Sequence, residues 1–292
     1  MGRVTLSVPR PTASAPDDTA DLRVVPARYP LRWAGIAVVL VLLAQFVHGL
    51  ATNPGWDWPT FAAFFASGAV VTALGTTLQL TAYATVLGFA VGAVLALMRL
   101  SHSRFLRTVA WGYVWAFRSI PLIVQIIFWF NVSYLYPKLG FGVPFGPVLF
   151  TVATQDLFSP LGAAVIGLTL HQAAYSAEII RSGVLAVDAG QLQAAAALGI
   201  PRARQFRRIV LPQAMRSILP NAANEVISLL KGTSIVSVVA INELFYQVQV
   251  IYGRNARVVA LLMVATVWYV VLTSLLSLVQ HYVERHYAKG SR

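Results

Sequence analysis

The sequence predicts an all-α polytopic membrane protein with about six transmembrane helices and a polar cytoplasmic loop, and three observations carry that prediction. Of its 292 residues, 58% are hydrophobic and only 11% are charged, with a mean hydropathy of +0.69. Ordinary soluble domains carry about a quarter of their residues as charges. Several apolar runs approach or exceed the ~20 residues a helix needs to cross the hydrocarbon core. With both termini inside, 17 of the 22 Lys and Arg fall in inner tails and loops, as the positive-inside rule requires. Inverting the chain would strand all of these charges outside.

The same distribution accounts for the net charge of +12, so no nucleic-acid partner is expected. There is no cysteine, which excludes disulfides and Cys-ligated metal centres. His281 and His286 are five apart and His171 has no evident companion ligands, so no metal site is predicted. Neither HExxH nor GxSxG occurs, leaving hydrolase chemistry without a motif. No fixed-period repeat points to a solenoid.

In chain order, residues 1–30 read as a flexible cytoplasmic tail. A Pro- and Asp-containing stretch before the first apolar run argues against a signal peptide. Residues 31–68 hold an extra leading helix, Trp33 to Leu50, and an outer loop with Trp56 and Trp58 at interface level. The main transmembrane unit is expected over 69–292. Its first span, Val70 to Leu100, carries Gly88 and Gly92 at the spacing that lets a second helix approach closely. Arg99, His102, Arg104 and Arg107 mark an inner turn. The next span, Val109 to Tyr136, contains Pro121, where a kink and freed carbonyls are expected. Pro137 to Pro160 is Gly- and Pro-rich and reads as extracytoplasmic, and Leu161 to Ile180 is the following span. Ala222 to Ile241 and Val258 to Val279 complete the set, joined by a short outer loop near Arg254 and Arg257.

Between them, in a cytoplasmic loop at about 183–221, lies QLQAAAALGIPRARQFRRIVLP, Gln191 to Pro212. Ala194 to Ala197 favour helix and present little bulk. Gly199 suits a left-handed C-cap, and Pro201 can open a second helix at its first position. Arg202, Arg204, Arg207 and Arg208 alternate with Phe206, Ile209, Val210 and Leu211 to give an amphipathic segment. Pro212 is then expected to kink or restart the helix. A rigid short helix held between spans is a device for receiving motion from a cytoplasmic partner.

This loop resembles the EAA loop of ABC-importer permease subunits: Glu-Ala-Ala, three residues, Gly, nine residues, Ile, one residue, Leu-Pro. Gln193, Ala194, Ala195, Gly199, Ile209, Leu211 and Pro212 stand at those spacings, and only the Glu differs. FRSIPLIVQ (117–125), AAYSAEIIRSG (173–183) and LLKGTS (229–234) extend the resemblance to the polar amino-acid permeases, over roughly Gly75 to the C-terminus. The resemblance implies a type I importer permease fold. It places Gly190, Gln191 and the motif residues in the groove of an ATP-hydrolysing subunit. It also implies two such ATPases, a second permease subunit, an extracytoplasmic solute-binding protein, a small polar solute, and the bacterial cytoplasmic membrane. No P-loop occurs in this chain, so ATP and Mg belong to the partner and the chain itself binds no cofactor and catalyses no reaction. Gln193 keeps the length of the motif Glu but not its charge.

Charges inside spans default to functional candidates. Glu178, Glu225, Lys231 and Glu243 are such charges, with Gln125, Asn224, Thr233 and Ser234 as polar neighbours. Lys231 either meets a substrate carboxylate, with Thr233 and Ser234 adding hydroxyls, or pairs with Glu225 or caps broken backbone near the inner surface. Glu178 and Arg181, three apart, read as a structural pair. Two other functional classes compete with the importer: an ion-coupled secondary transporter or channel, and a membrane scaffold whose basic loops bind anionic lipid or another protein. Neither requires the loop's spacing.

Overall fold

The computed structural model describes residues 30–143, 146–157 and 159–288. Apart from Pro30, the tail expected at 1–30 lies outside the described residues. The chain divides into two units, ending and beginning at Asn53 and Pro54. The described part of the first is one helix, α1 (Pro30–Thr52), apolar and exposed along most of its length; the leading helix read at Trp33 to Leu50 lies within it.

The second unit begins with α2 (Trp58–Phe65), whose N-cap Asp57 accepts from the Thr60 amide at 3.4 Å and pairs with Arg257 at 3.0 Å. The bond from Thr60, and then the Arg257 guanidinium, hold the Asp57 carboxyl below the ordinary carboxylate range. At the other end of α2, Phe65 stacks on Trp268, whose indole N–H donates to the Phe65 carbonyl at 2.8 Å. The chain then runs through α3 (Gly68–Leu100), α4 (Arg104–Ser119), α5 (Leu122–Phe130) and α6 (Val132–Leu135). An antiparallel hairpin, β1 (Lys138–Gly142) with β2 (Val148–Ala153), pairs Lys138 with Ala153 and Phe141 with Phe150. This hairpin occupies the Gly- and Pro-rich segment read as extracytoplasmic, and it is the only strand pair among the described residues. After α7 (Thr154–Leu157) comes α8 (Pro160–Leu185), opened by Ser159, whose hydroxyl accepts from the Gly162 amide.

Helix α8 is the axis of the unit. Ala163, Ala164, Leu168, Ala173, Ala174 and Ala177 on it are fully buried. Packing this tight needs missing side chains opposite. A Cβ on Gly88 would lie 2.5 Å from Gln172, and one on Gly92 would lie 2.6 Å from Ser176 and 3.0 Å from the Ala173 carbonyl. The glycine spacing in the first main span therefore marks the α3–α8 contact.

The span expected over Val109 to Tyr136 is not one kinked helix. It breaks at Ile120–Pro121 into α4 and α5, which lie 102° apart. Pro121 cannot donate to the preceding turn, and Gln125 takes up the freed carbonyls: its amide nitrogen donates to Phe117 O at 2.9 Å and Ile120 O at 2.7 Å.

The remaining elements are α9 (Ala189–Ala197), α10 (Arg202–Gln205), a π-helical turn (Phe206–Val210), α11 (Leu211–Gly232), a 3₁₀ run (Thr233–Val239), α12 (Leu244–Asn255) and α13 (Val258–Ala288). The short outer loop expected before the last span is thus corrected to a twelve-residue helix, α12, capped by Glu243. Pro212 does not interrupt its helix. The chain is helical from Arg202 to Val239, and the widened turn just before Pro212, where Leu211 N bonds Phe206 O, accommodates the proline.

Among the described residues, four helices are long and apolar enough to cross a membrane: Leu31–Thr52, Gly68–Leu100, Arg202–Val239 and Val258–Arg285. The bent α4–α5 pair makes a fifth if taken as one span. Helix α8, read as a span at Leu161 to Ile180, is missing from that set because it carries His171, Gln172 and Glu178. Surrounded by other helices, it needs less apolar surface than a lipid-facing one.

Candidate functional site

The polar loop after α8 folds into a compact helix–turn–helix. Asp188 caps α9, its carboxylate accepting from the Gln191 amide at 3.1 Å. Within α9 only Ala195 is buried, while Gly190, Gln191, Gln193, Ala194, Ala196 and Ala197 are exposed. The helix ends as the spacing predicts. Gly199 adopts φ +69°, and the amides of Gly199 and Ile200 return to the carbonyls of Ala196 and Ala195 at 3.0 and 3.1 Å. Pro201 sits at the cap of α10 rather than at its first helical position, its carbonyl accepting from Arg204 and Gln205. Gln205 folds back to donate to Ile200 O at 2.7 Å, which fixes the turn.

Two anchors hold this motif to the transmembrane helices. Val187, Val210, Ala214 and Ile218 form a buried cluster joined by Leu192 and Ile180, so α9 and the start of α11 share one apolar floor. Above it, Gln213 donates to Gln191 at 2.6 Å and to Ile209 O at 3.1 Å. Leu211 and Pro212 are exposed, and Ile209 is half-buried. Arg204, Arg207 and Arg208 line an open surface depression beside them. The exposed face is therefore small residues on α9 flanked by arginines, suited to a protein groove. Sequence reasoning missed Asp188 and Gln213. Asp188 was legible as a helix-start residue; Gln213 was not, because its partner lies on another helix.

The intramembrane polar residues do not form one constellation. Gln125 is buried and committed to the α4–α5 break, with His171 Nδ1 3.3 Å from its amide nitrogen. Glu178 pairs with Arg181 at 2.8 Å, as the spacing predicts, and also lies 3.3 Å from Arg99 of α3, its Oε1 accepting no hydrogen bond from that guanidinium. It thereby ties α3 to α8. The Thr233 and Ser234 hydroxyls donate to Leu230 O and Lys231 O at 2.7 and 2.8 Å. Asn224 accepts from Gln280 at 3.2 Å. Lys231 is exposed and has no ion pair among the described residues, so the alternative pairing with Glu225 is not made.

Glu243 behaves differently from the others. Fully buried, it caps α12 by accepting from the Phe245 and Tyr246 amides at 3.0 and 2.7 Å. Its carboxylate also accepts from Tyr269 Oη at 3.1 Å and Thr77 Oγ1 at 3.4 Å. A carboxylate with four donors is a fully satisfied joint between α3, α12 and α13.

Residues 84–289 match the model of the binding-protein-dependent transport system inner membrane component family. The arginine transport system permease protein ArgU of Corynebacterium glutamicum is 39% identical, across 91% of this chain and 83% of its own length. The nopaline transport system permease protein NocM of Agrobacterium fabrum is 37% identical across 71% and 83%. The L-cystine transport system permease protein TcyB of Bacillus subtilis is 36% identical across 72% and 82%. Among solved structures, an amino acid ABC transporter with histidines has 32% identity and a TM-score of 0.64, over 75% of this chain and 94% of that one. The inward-facing MetNI methionine ABC transporter, 20% identical with a TM-score of 0.61 over 75% and 96%, shares the fold.

Proposed function

The chain belongs to the family of binding-protein-dependent transport system inner membrane components, and from that membership we propose that it is the permease of an ATP-driven importer for polar amino acids or related small solutes. The observation that carries the proposal is the family match over 84–289, which includes the helix–turn–helix closed by left-handed Gly199. An ion-coupled secondary transporter or channel is not favoured, since neither requires that motif.

In this reading α9, with Gly190, Gln191, Gln193, Ala194 and Ala195, is the coupling helix of the 183–221 loop. It seats in a groove of each of two ATPase subunits, which supply ATP and Mg. Gly199 turns the chain after α9, Ile209, Leu211 and Pro212 lead it into α11, and the Val187–Val210–Ile218 cluster with the Gln213–Gln191 bond holds α9 against α11, so ATPase closure tilts the spans as rigid bodies. Alternating access follows, biased by the different affinities of the two states for ATP and for the loaded binding protein. The functional unit pairs two permeases in the bacterial cytoplasmic membrane with both termini inside. Residues 69–292 form the permease proper and 31–68 an added helix and outer loop. A match across 91% of the chain extends beyond the second unit, residues 54–292, which supports a leading helix held in common with the arginine permease.

The pathway candidates divide by what already occupies them. Gln125, Glu178, Asn224, Thr233 and Ser234 are engaged within the subunit, whereas Lys231 offers an ammonium without an ion pair among the described residues, with Glu225 on the same helix. Lys231→Met is expected to lower uptake about ten- to a hundredfold, one hydrogen-bonded ion pair to substrate being worth roughly 1.5–3 kcal/mol, while the complex still assembles. Wild-type uptake kinetics would remove Lys231 from the pathway.

The deciding experiment is a mild-detergent pull-down of the tagged chain from its native membrane, with every co-purifying chain identified by mass. An ATPase and a solute-binding protein of amino-acid type are expected. Recovery of the chain alone, under conditions that preserve a known importer complex, would overturn the reading.

A further inference from the structure

We infer that the rim formed by the end of α3, the first half of α4 and the end of α8 binds the phosphate headgroup of an anionic phospholipid, with that first half of α4 at the membrane interface. The orientation of α4 follows from its neighbours. Helix α5 runs antiparallel to α8: Gln125 meets His171, and a Cβ on Gly167 would touch Ile126. Helix α4 lies 102° from α5 and so crosses α8 instead of following it. At that crossing Tyr113 Oη donates to Leu170 O at 2.9 Å, and Arg118 stands over the Tyr175 ring at 5.2 Å. With α8 spanning the bilayer, the first half of α4, which meets the ends of α3 and α8, is at the membrane surface, while its second half reaches the middle of α8.

The sequence of α4 suits that position. Only Ala110 and Val114 are buried, while Phe105, Trp111 and Trp115 are 74%, 54% and 62% exposed. Trp111 and Trp115 stack at 6.2 Å into a ridge. Exposed indoles beside arginines are the composition of an interfacial helix.

Next to this ridge is a cleft of about 490 Å³, lined by Arg99, Ser101, Arg107, Thr108, Trp111 and Arg181 among others. Three elements each contribute one guanidinium. Glu178 sets the positions of Arg99 and Arg181, but one carboxylate does not neutralise three guanidiniums. Arg107 is exposed and has no ion pair among the described residues. Guanidinium forks match phosphate oxygens, with the two hydroxyl side chains available as further donors. A free phosphate would satisfy the charge but leave the apolar wall of Trp111 and Leu185 unused. A phospholipid fills both, its headgroup in the cleft and its chains along the tryptophan ridge.

The test uses the full chain with its co-purifying partners, solubilised from vesicles of equal parts phosphatidylglycerol and phosphatidylcholine, with retained lipid counted by native mass spectrometry. Phosphatidylglycerol should be retained in preference. Arg107→Gln should lower that preference about fivefold, the effect of one basic residue near an anionic surface, and Arg107→Lys should keep most of it. Arg104→Gln, on the same helix but outside the cleft, should behave as wild type. All variants should unfold at the same temperature in detergent; if Arg107→Gln does not, the comparison of Arg107→Lys with wild type at raised salt replaces it, with preference expected to fall as salt rises. Equal retention of both lipids, or an unchanged preference in Arg107→Gln, overturns the proposal. So does inorganic phosphate that binds lipid-free protein through Arg107 and displaces the lipid. Loss of the preference when the ATPase is bound would assign the cleft to a protein contact and likewise overturn it.

Discussion

Gly199→Val is expected to leave the protein inserted in the membrane and to abolish ATP-driven uptake. Gly199 stands at φ +69° between α9 and α10, and no atom lies within 4 Å of where its Cβ would be. The substitution therefore meets no clash, and its cost is backbone strain alone. An L-residue in the left-handed region loses roughly 1–2 kcal/mol, and a β-branched one more. That is too little to unfold spans packed elsewhere. It is enough to unwind the bonds from the Gly199 and Ile200 amides to Ala196 and Ala195, which set the angle between α9 and α11. Uptake should fall by more than tenfold while ATPase binding or basal hydrolysis persists. Gly199→Asn, tolerant of that conformation, should retain most uptake and Gly199→Ala an intermediate amount. Uptake and hydrolysis measured together in proteoliposomes check the series, and coupled transport by Gly199→Val at the wild-type rate would dismiss the coupling role of α9.

Gly92→Leu is expected to prevent accumulation of folded protein. Unlike Gly199, Gly92 faces a packed surface: its added Cβ would lie 3.0 Å from Ala173 O and 3.1 Å from Ala177 N, besides 2.6 Å from the Ser176 side chain. Backbone atoms in the middle of α8 cannot turn aside as a flexible side chain can. Relief requires α3 and α8 to separate, which exposes Leu95, Ala173 and Ala177 in the cluster they share. Overpacking of this kind costs typically 1–3 kcal/mol for added methylenes in a core that can shift. Gly112→Leu is the matched control, because nothing lies within 4 Å of its Cβ position. Detergent-solubilised yield and thermal unfolding should drop sharply for Gly92→Leu and stay near wild type for Gly112→Leu. Equal stability of the two would show that α3 and α8 are free to move apart.

The fold was legible wherever the signal was local. The glycine pair in α3, the Glu178–Arg181 pair and the left-handed turn at Gly199 all follow from residues within one or two helical turns of each other, and the leading helix at Trp33 to Leu50 follows from one unbroken apolar run. Apolar length alone was a weaker guide for α8. Its histidine, glutamine and glutamate lower its hydropathy, yet it is the most enclosed helix of the unit. Hydropathy reports the demand of a lipid-facing surface, and α8 has little such surface.

The site was less legible than the fold. Spacing identified Gln193 to Pro212 as a unit, but not the Gln213–Gln191 bond or the shared floor of Val187, Val210 and Ile218 that fix it to α11. Among the polar residues of the spans, sequence gave no means of separating those already satisfied from those left free. Gln125 is spent on the carbonyls released at Pro121, and Glu243 on four donors drawn from α3, α12 and α13.

By itself the sequence determined that this chain is a polytopic membrane protein with a helix–turn–helix loop, because hydropathy, charge bias and turn chemistry are properties of short stretches; the permease reading came from the resemblance of that loop's spacing to a known family. Only the tertiary structure decided that α4 and α5 part at 102°, that α12 replaces an outer loop, and that Lys231 stands without an ion pair among the described residues while Glu243 is taken up by hydrogen bonds. Each of those depends on which distant segments meet. Thr77, Glu243 and Tyr269 become neighbours only when three helices have packed, and a buried hydrogen bond has no trace in the sequence until both of its partners have been brought together.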